Sequence, residues 1–109
     1  MSVYKPWREF ERSITRELRG LGFDVKRLWS EQFEEKSGAD ILAEPFVIQA
    51  KYGKKPKLRD AYLEAVGERK KGQIAVGICR FSEEKDTLVC LSWKDFKGLI
   101  KKTKGGDKI

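Results

Sequence analysis

In the segment GADILAEPFVIQAK, residues 38–51, three polar side chains interrupt an otherwise apolar pattern: Asp40, Gln49 and Lys51. Phe46, Val47 and Ile48 run as a strand into Gln49-Ala50-Lys51, and strand alternation sets Gln49 and Lys51 on one face, two residues apart. Glu44-Pro45 marks a turn before this strand, so a hairpin would bring Asp40 or a near neighbour across from its polar end. A carboxylate, an amide oxygen and an ammonium gathered at a strand terminus suit Mg²⁺ and a phosphate. Mg²⁺ takes oxygen ligands, keeps several waters and needs only one or two carboxylates. In such a site Asp40 is the anionic ligand, and the Gln49 side-chain oxygen and the Ala50 carbonyl are neutral ones. Lys51 orients an attacking water or stabilises charge in the transition state. The chemistry within reach is phosphodiester hydrolysis, because a bound divalent ion neutralises the anion and lowers the pKa of its water.

Composition narrows the alternatives. The 109 residues contain no histidine, which removes a Ser-His-Asp triad, a Cys-His protease and imidazole zinc sites. Any hydrolysis must use carboxylates, lysine or a hard cation. Cys79 and Cys90 are too few and too far apart for a zinc cluster. They fall in two predicted strands joined by Glu83-Glu84-Lys85-Asp86, with Ser82 against Thr87 and Cys79 opposite Cys90. Directly opposed positions strain a disulfide, so two reduced, buried thiols are expected.

The net charge of +7 is uneven: residues 1–50 hold 8 Lys/Arg against 9 Asp/Glu, and residues 51–109 hold 16 against 8. An excess downstream of the polar strand end suits a polyanion, since neutralising phosphates releases counterions, although a lysine-rich solvated surface has the same composition. The chain is 39% hydrophobic, and no apolar run approaches the roughly 20 residues of a membrane span. MSVYKPWREFERS lacks the apolar segment of a signal peptide, so a cytoplasmic location without membrane attachment is expected.

The elements that must hold these residues follow from periodicity. Pro6, then Trp7, Phe10, Ile14, Leu18 and Leu21, predicts an amphipathic helix stopped by Gly20 and Gly22. Strands are predicted over Phe23–Trp29, Ile41–Ala43, Phe46–Tyr52, Gln73–Phe81 and Thr87–Trp93, with a polar loop over Ser30–Gly38. A second helix is expected from about Lys57 to Lys71 with Leu58, Ala61, Tyr62, Ala65 and Val66 facing inward, and a third from Trp93 to Lys102. Residues 103–109 read as a frayed, basic tail. The order α-β-β-β-α-β-β-α predicts a single α/β domain over 1–109, one mixed sheet of about five strands flanked by helices. Ile74, Val76 and Ile78 alternate with Ala75, Gly77 and Cys79, as suits a strand covered on both faces.

These features resemble the PD-(D/E)xK nuclease superfamily. Gly38-Ala39-Asp40 stands for its Pro-Asp element and Gln49-Ala50-Lys51 for its (D/E)xK element. Phe10-Glu11-Arg12, Leu18 and Leu21-Gly22-Phe23-Asp24-Val25 are similar to the first helix and strand of archaeal-type Holliday junction resolvases. The resemblance runs from about residue 7 to residue 102. It implies a restriction-endonuclease-like fold, with Glu11 on the first helix as a catalytic and metal-binding residue beside Asp40, Gln49 and Lys51. It also implies a loop serine, matched by Ser37 or more loosely Ser30, and Mg²⁺ as cofactor with Mn²⁺ able to substitute. Ala39 replaces proline, and Gln49 replaces a carboxylate, which removes one negative charge from around the metal. Weaker cation binding or a preference for Mn²⁺ is the expected consequence.

Taken singly, each residue has a plainer role: Glu11 as a helix-dipole acid, Asp40 as a strand-entry residue, Lys51 as a solvated strand end. Glu17, six positions along from Glu11, faces elsewhere on the helix. Lys54, Lys55, Lys57 and Arg59 follow the site directly, as phosphate contacts or as a solvated turn. The function expected is a metal-dependent, structure-selective DNA endonuclease acting on four-way junctions as a homodimer, with Trp7, Phe81, Leu91 and Trp93 as possible sources of an interface. The alternatives are a related nuclease acting on flaps, mismatches or duplex, and a non-catalytic basic nucleic-acid-binding protein.

Overall fold

The first helix, α1 (Pro6–Gly20), forms along the three- and four-residue apolar spacing and turns Phe10 and Ile14 into the core. It ends in a Schellman arrangement: Phe23 N–H donates to the Leu18 carbonyl and Gly22 N–H to that of Arg19. Gly22 supplies the positive φ of 101° that this ending requires. The computed structural model describes residues 6–28 and 38–107.

The strands are β1 (Lys26–Leu28), β2 (Gly38–Ala43), β3 (Phe46–Gly53), β4 (Ile74–Phe81) and β5 (Thr87–Cys90). They lie in sequence order across the sheet, with β2 to β5 forming its body and the three-residue β1 on the outer edge of β2. All pairs are antiparallel except β3 with β4. That parallel pair needs a crossover, which α2 (Leu58–Glu68) provides. The architecture is α/β: one mixed sheet with α1 and α2 packed on it and α3 following its last strand.

Alternation divides the sheet into two unlike faces. Ile41, Ala43, Ile48, Ala50, Val76 and Ile78 make the larger core with Phe10, Ile14 and Val25, and Phe10 packs on Tyr52 with ring centroids 5.7 Å apart. This is the face that α1 covers. The other face carries Val47, Gln49 and Lys51 of β3 and Ala75, Gly77 and Cys79 of β4, and lies beneath α2. Here the fit is made by small residues: Ala61, Ala65, Ala75 and Cys79 are each 0% exposed. A Cβ built on Gly77 would stand 2.6 Å from the backbone nitrogen of Tyr62, so only glycine lets the helix approach this closely.

The last helix, α3 (Trp93–Asp107), starts at Ser92, whose hydroxyl accepts from the Asp95 N–H at 3.1 Å. It exposes Trp93, Phe96 and Ile100. Among the described residues no helix is long and apolar enough to cross a membrane.

Several expected boundaries move. The strand expected over Phe23–Trp29 pairs only at Lys26–Leu28, while Phe23 and Val25 ahead of it still pack into the core. The second strand begins at Gly38 rather than Ile41, which puts Asp40 inside the ladder. The second helix stops at Glu68, where Arg69 turns extended. The last strand stops at Cys90 because Ser92 caps the following helix, and that helix runs through the expected tail to Asp107. The β4–β5 register also differs: Arg80 pairs with Thr87, so Cys79 faces Leu88 and Cys90 faces Gly77. The turn is two residues longer than expected because the Ser82 N–H is drawn to the Gly53 carbonyl of β3 at 2.7 Å. Both cysteines are free; Cys79 is buried and Cys90 half-buried.

Candidate functional site

The polar end of β3 carries the site. Gln49 is 6% exposed, one of the few buried polar residues among those described. Its cross-strand Cα partner in β2 is Asp40, and its parallel neighbour in β4 is Gly77. Two residues on, the Lys51 Nζ lies 2.7 Å from Glu64 Oε2 of α2, with the two side chains 18% and 32% exposed. The face therefore passes from a buried residue to a partly exposed ion pair within one strand repeat.

The small residues under α2 make that pair possible. Ala61 and Ala65 press against β4, and Glu64, between them in the helix, reaches across to the end of β3. Sequence reasoning missed Glu64. The available signal was its spacing of three from Ala61 on an inward-facing stripe, an unusual place for a carboxylate without a partner.

Glu11 belongs to the other layer. It is 4% exposed on α1, next to Phe10, whose ring meets Tyr52 directly after Lys51. Glu11 thus lies toward the same end of the sheet, but on the helix that covers the opposite face from Gln49 and Lys51. One turn along, Thr15 is also buried, and its hydroxyl has no hydrogen-bond partner. Only Glu11, Thr15 and Gln49 are buried polar residues among those described. A first-turn acid does exist on α1, but it is Glu9, which is exposed and bound to Arg12 at 3.0 Å.

The other predicted residues divide simply. Ala50 is buried in the core face, 3% exposed, between Ala39 and Ile78 in the ladder. Lys54, Lys55, Lys57 and Arg59 are all exposed and run from the end of β3 into the first turn of α2. Ser37 and Ser30 fall outside the described residues. Beside Lys51, its ladder partner Cys79 has its thiol pKa raised, chiefly by burial, with the Lys51 ammonium opposing the shift.

Among the described residues no three His, Cys, Asp or Glu side chains form a metal-binding group. The oxygen donors at this strand end are the Gln49 amide and the Glu64 carboxylate, with Asp40 at the facing register position, and the neighbouring Cys79 thiol is fully buried. Oxygen donors of this kind suit Mg²⁺ or Mn²⁺. Comparison of the chain with protein-family models, curated proteins and solved structures gives no match.

Proposed function

We propose that this chain is a metal-dependent DNA endonuclease of the PD-(D/E)xK type, acting on four-way junctions as a homodimer. The observation that carries this reading is the end of β3: a buried Gln49 and an ion-paired Lys51 on one face, with Asp40 as the cross-strand partner of Gln49. A restriction-endonuclease-like fold is supported by the antiparallel run β1-β2-β3 followed by a parallel β4 reached through α2.

In this reading Asp40 and Gln49 would hold a divalent cation, whose chemistry when bound would be to neutralise charge on the scissile phosphate and acidify a water. Lys51 is the cation that faces the charge developing on phosphorus, and Glu64 fixes its ammonium at one end of its reach. Lys54, Lys55, Lys57 and Arg59 continue the positive surface away from the site and suit the flanking phosphates. A junction cut symmetrically in two strands needs two such centres related by a two-fold axis, hence the homodimer.

The test is incubation of the purified chain with labelled four-way junction, flap and linear duplex, with and without Mg²⁺ or Mn²⁺. Paired nicks confined to the junction are expected. Flap or duplex cutting would redirect the substrate assignment, and binding without cleavage in either metal would end the enzymatic reading.

A further inference from the structure

We infer that α1 carries a phosphate-binding cleft, formed around Thr15, Arg16 and Arg19, that takes a phosphate group of a DNA strand. This rests on the nucleic-acid part of the reading above, and on neither its metal nor its cleavage. Among the described residues the cleft, with a volume of about 480 Å³, is lined by Glu9, Arg12, Thr15, Arg16 and Arg19. Three guanidinium groups therefore meet one carboxylate there. That carboxylate is already taken, since Glu9 accepts from Arg12 at 3.0 Å. Glu11, on the same helix, is buried and does not line the cleft. Arg16 and Arg19 thus border the space with no counter-charge from the lining residues. Arg19 is also anchored, because its Nη2 donates to the Val25 carbonyl at 3.2 Å, and a guanidinium so held keeps further donors for an anion.

Unmet donors mark the same helix face. Thr15 is 4% exposed, and its hydroxyl has no hydrogen-bond partner. Leaving such a group unmet is costly, and an oxyanion in the cleft would supply the acceptor. Among the described residues, the other buried side-chain atom without a partner is Arg8 Nε, also on α1. An arginine nitrogen can only donate, so this second gap again calls for an acceptor. Arg8, Arg12, Thr15 and Arg19 follow one another at spacings of four, three and four, which sets them in a single stripe. From Arg8 to Arg19 that stripe runs about 16 Å along the helix, longer than one phosphate. A strand with phosphates in series suits it better than a free phosphate ion.

The experiment measures binding of a labelled DNA strand to the full chain in EDTA, by fluorescence anisotropy across a salt series. The strand carries either a 5′-phosphate or a 5′-hydroxyl. Arg16→Ala is expected to weaken binding by about fivefold and to lower the salt slope by about one. Thr15→Val keeps the side-chain shape and removes the hydroxyl. It is expected to weaken binding by about threefold or more while the urea midpoint holds or rises. Thr15→Ser, which keeps the hydroxyl, should bind like the natural chain. The Thr15→Val/Arg16→Ala double variant should lose less than the product of the two single losses, because both residues serve one phosphate. Equal losses with both strands assign the cleft to backbone phosphates, and losses confined to the 5′-phosphorylated strand assign it to a terminal one. Unchanged affinity and salt slope in Arg16→Ala overturn the inference. So does a Thr15→Val chain that binds as before, or one whose loss of binding tracks a loss of stability. Should Thr15→Val not fold, Thr15→Ala replaces it with the same loss of binding expected. Cleavage is scored separately in Mg²⁺ and Mn²⁺. A chain that cuts DNA while these variants bind it unchanged loses this inference and keeps the nuclease reading. One that binds DNA through Thr15 and Arg16 and cuts nothing does the reverse.

Discussion

Lys51 is where one residue's environment decides most. Its side chain is 18% exposed and its ammonium is tied to Glu64, so it is held rather than waving in solvent. A group that meets charge only in the transition state should affect rate far more than binding. Lys51→Ala is therefore expected to lower junction cleavage by at least about a hundredfold. Its effect on junction affinity, measured by gel shift in Ca²⁺, should stay within about threefold, because it is one phosphate contact among several. An equal loss in both would make Lys51 a binding residue only. Its ladder neighbour Cys79 gives a second, independent reading. Burial raises this thiol's pKa, so the folded state holds the proton more tightly than the unfolded state. The resulting stabilisation is fully present below the ordinary thiol range and disappears as pH climbs through the raised value. Comparing urea midpoints of the natural chain and Cys79→Ala from pH 7 to pH 10.5 should show the natural chain losing its advantage only on the alkaline side. A constant difference would mean the thiol does not titrate differently on folding.

At the scale of elements, the sequence carried the periodic information well and the register and distance information poorly. The Phe46-Val47-Ile48 run, the Glu44-Pro45 turn and the Gln-Ala-Lys ending place β3 correctly, because alternation is a local property. The pairing of Asp40 with Gln49 follows from that turn. What did not follow is which helix face meets which sheet face. The Lys51–Glu64 contact joins residues across a crossover, and it exists because α2 sits almost on the β4 backbone at Gly77. Glu11 shows the same limit: its sequence position suggests the site, but α1 packs on the opposite face of the sheet from Lys51. The shifted Cys79 register has a comparable origin, in a single long-range hydrogen bond from Ser82 to Gly53. The close approach of α2 is itself testable. Gly77→Ala puts a methyl 2.6 Å from the Tyr62 nitrogen, so the helix must retreat. A loss of about 1–3 kcal/mol in unfolding free energy is expected by urea denaturation, as for other overpacked interiors. Cleavage at saturating metal should fall with it, since Glu64 moves with the helix. Unaltered stability would mean that the β4–α2 contact adjusts freely.

On the scale of the whole molecule, five of the seven exposed large apolar side chains among the described residues belong to β5 and α3. Leu88 and Val89 of β5 are 40% and 56% exposed, and Trp93, Phe96 and Ile100 of α3 are 66%, 45% and 46% exposed. Of the four residues suggested for an interface by sequence, only Trp93 lies in this surface; Trp7, Phe81 and Leu91 are half-buried. An edge strand with open backbone groups, followed in the chain by a helix that exposes aromatic side chains, invites pairing, and the proposed junction cutting supplies the occupant, a second copy of this chain. Self-association through β5 and α3 would leave the β3 site and the Lys54–Arg59 surface of each copy open to DNA. The double variant Trp93→Ala/Phe96→Ala removes the two largest exposed rings from positions that contribute little to the core, so the fold should survive. Sedimentation should then report a monomer where the natural chain is a dimer. The monomer should still nick a junction in Mg²⁺, but the two nicks should lose their coupling: singly cut product accumulates before doubly cut product. A variant that remains dimeric, or cuts both strands together as a monomer, would move the interface elsewhere or remove the need for one.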